Sequence, residues 1–127
     1  MGKVIAKIKL TNIFDPSKMV EIDAVIDSGA TMLALPQNVV DSLSLQKDRE
    51  VRVRYANNHE EAKLIYGVAK VELMGRRGNF DVIAEPIGAT PLVGQVVLEI
   101  LDLLIDPKGR KLIPNPLSPE MPMMEIL

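Results

Sequence analysis

Ala24-Val25-Ile26-Asp27-Ser28-Gly29-Ala30-Thr31-Met32-Leu33-Ala34-Leu35-Pro36 is the stretch whose reading decides the fold. An apolar run ends on an acid, Ser-Gly-Ala follows at once, and a second apolar run begins. A carboxylate between two buried strands resists ionising, because leaving water disfavours its charged form. Proteins keep an acid in such a place where it does chemistry or is tied down by hydrogen bonds. The tripeptide Asp-Ser-Gly alone is a common turn. Its position between two apolar runs is what carries information.

Outward from that stretch the pattern is mostly period two, the spacing of half-buried strands. Val4, Ala6, Ile8 and Leu10 alternate with Lys7 and Lys9, and Val20, Ile22, Ala24 and Ile26 with Glu21, Asp23 and Asp27. Further alternations run through Val51, Val53 and Tyr55, then Ala69, Val71 and Leu73, then Phe80, Val82 and Ala84. Turn residues separate them at Asp15-Pro16-Ser17, Asn57-Asn58 and Gly75 to Gly78. The expected class is all-β, antiparallel and built largely from hairpins.

Two helical signals interrupt the strands. Pro36 suits a first helical turn and precedes Val39, Val40 and Leu43. A second helix is expected at about 94–103, where Val97, Leu98 and Leu101 share a face. Leu104-Ile105-Asp106-Pro107 then reads as a strand ending in a turn, and Lys111-Leu112-Ile113 as a last short strand. The expected domain is 1–113. Residues 114–127 form a Pro-rich C-terminal tail whose prolines at 114, 116, 119 and 122 forbid a helix or central strand. The tail reads as a disordered or loosely docked terminus, or as an arm lying across a partner chain.

Composition narrows the chemistry. The chain has 127 residues, 47% hydrophobic and 25% charged, enough for one modest core. Its net charge of −2, with both signs interspersed, is not the basic footprint of a nucleic-acid binder. Arg76-Arg77 is too small a patch to alter that and reads as a solvated turn. With no cysteine, thiolate nucleophiles and disulfide frameworks are absent, and the single histidine, His59, rules out a multi-histidine metal site within one chain. Lysines at 3, 7 and 9 break the N-terminal apolar pattern, so no signal peptide is expected there. No run approaches a membrane span, and the expected location is cytoplasmic.

The run Val25-Ile26-Asp27-Ser28-Gly29-Ala30 resembles the Asp-Thr/Ser-Gly signature of the aspartic proteases, and Leu33-Ala34-Leu35-Pro36 resembles the apolar strand after it. Pro91-Leu92-Val93-Gly94 before Val97-Leu98-Glu99-Ile100-Leu101 resembles the segment that closes a retropepsin monomer. Leu103 to Pro107 with Gly109 to Ile113 is similar to the end of bacterial and archaeal single-domain members. The resemblance spans roughly residues 4 to 113. It implies a retropepsin-like barrel with a short C-terminal helix and a flap hairpin. It also implies an aspartic endopeptidase that acts as a homodimer, because the chain carries one Asp-Ser-Gly and the reaction needs two carboxylates sharing a proton. The implied substrate is an extended peptide or unfolded protein. Water is the nucleophile, so no metal and no organic cofactor is expected, and no nucleic-acid or membrane partner.

By the same resemblance Asp27 is the catalytic acid/base. Ser28 holds its own loop by hydrogen-bonding to the partner's backbone near the dyad, Gly29 brings a backbone N–H close to the carboxylate, and Ala30 stands where pepsin-like enzymes carry a hydroxyl residue. That lost hydrogen bond implies a working pH from mildly acidic to near neutral. Thr31 replaces an Asp that retroviral enzymes use to bind substrate backbone. The flap tip is Asn57-Asn58-His59-Glu60, polar where retroviral tips are glycine-rich, with His59 read as solvated and not catalytic. These two departures favour an alternative, a non-catalytic peptide-binding or assembly module on the same fold. A third reading is a structural barrel in which Asp27 merely caps a turn.

Overall fold

The computed structural model describes residues 3–126. Met1 and Gly2, where the N-terminal reading began, and Leu127, the last residue of the tail, lie outside them. The elements follow in the order β1 (Val4–Asn12), β2 (Asp15–Ile26), β3 (Leu33–Pro36), α1 (Gln37–Ser42), β4 (Gln46–Arg54) and β5 (Glu60–Leu73). Then come β6 (Arg76–Glu85), β7 (Leu92–Val93), α2 (Gln95–Leu101), β8 (Leu103–Asp106) and β9 (Lys111–Pro114).

Seven strands form one sheet in the order β1-β2-β7-β3-β6-β5-β4, and β1 also pairs with β5. That extra pairing closes six of the strands into a ring. One edge of β5 is shared: Glu60–Gly67 pairs with β4, and Ala69–Glu72 pairs with β1. A register shift between Tyr66 and Ala69 separates the two halves, as a bulge does when it bends a strand. The β4–β5 hairpin therefore projects from the closed part. A separate two-stranded sheet, β8–β9, follows α2.

The period-two residues fill the ring. Ile8, Leu10, Ala24, Ile26, Val71, Val82 and Val93 are buried there with Val97 and Leu101 of α2. Each buried Val, Leu or Ile among them contributes about 1.5–3 kcal/mol by leaving water. Asn12, also buried, donates its side-chain amide to the carbonyls of Leu43 and Ser44 at 3.0 and 3.2 Å. It thereby fastens β1 to the end of α1.

Several local expectations give way. The first turn falls at Ile13–Phe14, so Asp15, Pro16 and Ser17 already belong to β2. Asn12 is the reason: its side-chain oxygen accepts the Phe14 N–H at 2.9 Å and bends the chain earlier. The β5–β6 turn is Met74–Gly75, both at positive φ (52° and 76°), so Gly78 lies within β6. Arg76 is no solvated turn residue. It is buried, and its guanidinium donates to the carbonyls of Leu101 (3.0 Å), Asp102 (2.9 Å) and Ser118. Helix α2 stops at Leu101 because Asp102 turns left-handed at φ 56°. The tail is fastened at the same place. The Asp102 carboxylate accepts from Asn115 Nδ2 at 2.9 Å, from the Ser118 hydroxyl and from the Met123 N–H at 3.0 Å.

Candidate active site

Asp27 follows directly from β2, and its own N–H donates to the Val93 carbonyl at 2.9 Å. Strand β7 thus continues its parallel pairing with β2 (Val25 opposite Leu92, Ile26 opposite Val93) one residue into the loop. On its other side β7 runs antiparallel to β3, with Ala34 opposite Leu92. The loop between Asp27 and Leu33 is therefore suspended between two strands that β7 holds apart.

Backbone bonds fix its shape. The Ala30 N–H donates to the Asp27 carbonyl at 3.1 Å. At the start of α2, the Gln95 N–H donates to the Ala30 carbonyl at 2.7 Å and the Val96 N–H to the Thr31 carbonyl at 2.9 Å. Gly94 makes that approach possible. A Cβ there would lie 2.4 Å from the Met32 carbonyl oxygen and 2.7 Å from the Met32 nitrogen, inside any allowed contact.

Among the described residues the Asp27 side chain takes one hydrogen bond: the Gly29 N–H donates to its Oδ1 at 2.9 Å. Among the described residues no hydrogen bond or ion pair reaches Oδ2. Asp27 is half-buried, and Ser28 and Gly29 beside it are exposed. A Cβ on Gly29 would come to 3.2 Å of Oδ1, so that carboxylate oxygen and its amide donor are held close. The result is an oriented acid with one oxygen committed to the backbone and, among the described residues, the other left without a bond. An open cleft of about 600 Å³ lies behind this loop, between Thr31–Leu33, Phe80 and Val96–Val97, and Asp27 does not line it. Among the described residues no hydrogen bond joins the Asp27 carboxylate to another acidic side chain.

The hairpin tip is built from polar bonds. The Tyr55 N–H donates to the His59 carbonyl at 2.8 Å, the Asn58 N–H to the Tyr55 carbonyl at 2.9 Å, and the His59 N–H to Asn57 Oδ1 at 2.9 Å. Asn58 takes the left-handed position, φ 66°, that asparagine accepts. The His59 side chain is 60% exposed, and Glu60 pairs with Arg54 at 3.3 Å. Below the tip, the Tyr55 hydroxyl donates to the Glu85 carboxylate at 3.1 Å, and Lys63 Nζ lies 3.7 Å from the same group. Burial raises the Tyr55 pKa; Lys63 pulls it back and Glu85 adds to the rise. Burial opposes the charge of Lys63, but the Tyr55 hydroxyl and the nearby carboxylates outweigh it and raise its pKa.

Asp27, Ser28, Gly29, Ala30 and Thr31 therefore share one pinned loop, and Asn57, Asn58, His59 and Glu60 share one tip. Among the described residues no hydrogen bond or ion pair joins tip to loop; the hairpin is tied instead to Glu85, at the far end of β6. Sequence reasoning missed Tyr55, Lys63 and Glu85 as a cluster, and missed Gln95 as a support of the loop. Alternation had assigned Tyr55 to a strand face, and no local pattern links it to Glu85, 30 positions away.

Residues 12–98 match the family described as Aspartyl protease. No curated protein matches the chain. Among solved structures it is similar to the EIAV protease complexed with the inhibitor HBY-793, at 12% identity and a TM-score of 0.56. The similarity covers 76% of this chain and 86% of that one, and it shows the retropepsin fold.

Proposed function

The chain belongs to the aspartyl protease family, and from that premise we propose that it hydrolyses peptide bonds as a two-fold homodimer, Asp27 of each copy giving one carboxylate of the site. The observation that carries this reading is the Asp27 side chain itself: oriented by the Gly29 amide and, among the described residues, bonded at Oδ2 to nothing and at neither oxygen to another acid. A symmetric pair supplies that acid by placing the same residue on both sides of the axis.

In the reaction one carboxylate draws a proton from water while its protonated twin donates to the scissile carbonyl. Two such acids about 3 Å apart titrate as a pair, not as separate groups. Gly29 keeps Oδ1 aimed, and Ser28 is free to bond the partner's loop. The hairpin tip Asn57–Glu60 acts as a flap over an extended peptide, which lies against it like an added strand. Residues 1–113 form the catalytic unit, with 114–127 appended to it.

The test is peptide cleavage by the wild type and by Asp27→Asn, which keeps the shape and removes the acid. Loss of turnover by at least a thousandfold in the mutant, at unchanged fold, is the expected result. Equal cleavage by both would refute the reading. Peptide binding without turnover in the wild type would turn it into the binding module.

A further inference from the structure

We infer that residues 115–126 form a fixed arm whose apolar side chains are covered by a second copy of this chain. The inference rests on the homodimer reading above and adds a part to its interface.

The arm is held by polar groups at its root. Arg76, from the start of β6, donates to the carbonyls of Leu101, Asp102 and Ser118. The Asp102 carboxylate gathers Asn115, Ser118 and the Met123 backbone around itself, and the Asn115 N–H donates to the Asp102 carbonyl at 3.0 Å. Serine 118 is buried by this, at 6% exposure. The large apolar side chains of the same segment do the opposite. Leu117 is 84% exposed, Met121 68%, Met123 57%, Met124 62% and Ile126 93%. A tail that docked for its own sake would bury these side chains and leave its hydroxyl in water. This one spends ordering entropy to display them.

The second copy is the occupant because of where the root lies. Helix α2 begins on the Asp27 loop, through the bonds of Gln95 and Val96, and ends at Asp102. Its 7 residues span only about 10 Å at 1.5 Å per residue. Two Asp27 carboxylates within hydrogen-bonding reach put the two-fold axis beside that loop. A standard interface takes about 800 Å² from each partner, a disc of radius about 16 Å. A patch of that size centred on the axis extends past the end of α2 to Asp102, the root of the arm. Ile100 on α2 and Leu104 on β8, two residues either side of Asp102, are also exposed apolar side chains, at 39% and 44%. Methionine is the side chain suited to fill an irregular surface presented by another chain.

The experiment is sedimentation equilibrium of the full chain over a range of concentrations, comparing the wild type with a Met121→Ser/Met123→Ser/Met124→Ser/Ile126→Ser variant. These side chains are exposed in the single chain, so circular dichroism of the variant monomer should match the wild type. The inference expects the dimer dissociation constant to rise at least tenfold, and cleavage lost at low concentration to return at high concentration. Asp102→Asn, which loosens the root without touching the apolar residues, should weaken the dimer in the same direction. An unchanged dissociation constant in the apolar variant, or a wild type that stays monomeric throughout, would overturn the arm. The two readings fail separately. If Asp27→Asn abolishes cleavage while the arm variant dimerises normally, the arm is wrong and the protease stands. If the arm variant dissociates while Asp27→Asn cleaves as before, the arm stands and the shared dyad is wrong.

Discussion

Gly94 and Met32 touch through their backbones so closely that no side chain fits between them: a Cβ on Gly94 would meet the Met32 carbonyl oxygen at 2.4 Å. This contact lets the first turn of α2 reach the Ala30 and Thr31 carbonyls, and through them it sets the direction of Asp27.

Gly94→Ala is therefore expected to act on the loop before it acts on the core. The intruding atom meets backbone, which cannot swing aside, so the stability cost should exceed the roughly 1–3 kcal/mol of ordinary overpacking. Urea unfolding measures that loss, and peptide cleavage by the folded fraction should fall with it. A variant as stable and active as the wild type would show that the contact is not needed.

Arg76→Met tests the buried guanidinium. It leaves the carbonyls of Leu101, Asp102 and Ser118 without their donor, two of the three in buried positions. A cost of about 1–3 kcal/mol is expected, the range for leaving buried acceptors unsatisfied. Amide exchange should rise most at 115–123. A loss below about 1 kcal/mol would mean that water replaces the guanidinium freely.

The arm should also respond to acid. Bonds from Ser118, Asn115 and the Met123 N–H, with Arg76 nearby, hold the Asp102 carboxyl below the usual carboxylate range. A carboxylate depressed in the folded state adds stability that is complete above its unfolded pKa and is lost as pH falls through the folded one. Docking of the arm should therefore persist through mildly acidic pH and fail only below the ordinary aspartate value. Exchange at the Met123 amide against pH follows this, and Asp102→Asn should remove the dependence.

Tyr55→Phe removes the hydroxyl that ties the hairpin to Glu85. Lys63 still pairs with Glu85, so the stability loss should be about 0.5–1.5 kcal/mol, the ordinary value of one hydrogen bond. The hairpin should open more often, with faster exchange along Arg54–Lys63 and a change in KM larger than in kcat. Equal exchange in mutant and wild type would show that the Glu85 contact does not restrain it.

Much of this molecule was legible in its residues because burial follows simple periods. Ile8 and Leu10, Ala24 and Ile26, and Val82 and Ala84 point inward as period two requires. Asp27 stood out because an acid ended one such run. The reading failed where distant polar groups made the decision. Asn12 moved the first turn by its side-chain bond to Phe14, Arg76 turned inward to carbonyls 25 and 42 positions later, and Asp102 fastened a tail whose prolines resemble those of an unstructured end. Hydrogen bonds of that reach leave no periodic trace in a single sequence.

The shared site is tested most directly by mixing. Wild-type chains and Asp27→Asn chains are combined in equal amounts, allowed to exchange, and assayed for peptide cleavage against wild type at the same total concentration. If one acid from each of two copies builds the site, only pairs of wild-type chains cleave, and activity falls to about one quarter. Activity of about one half would mean that each chain works alone, and it would contradict the account.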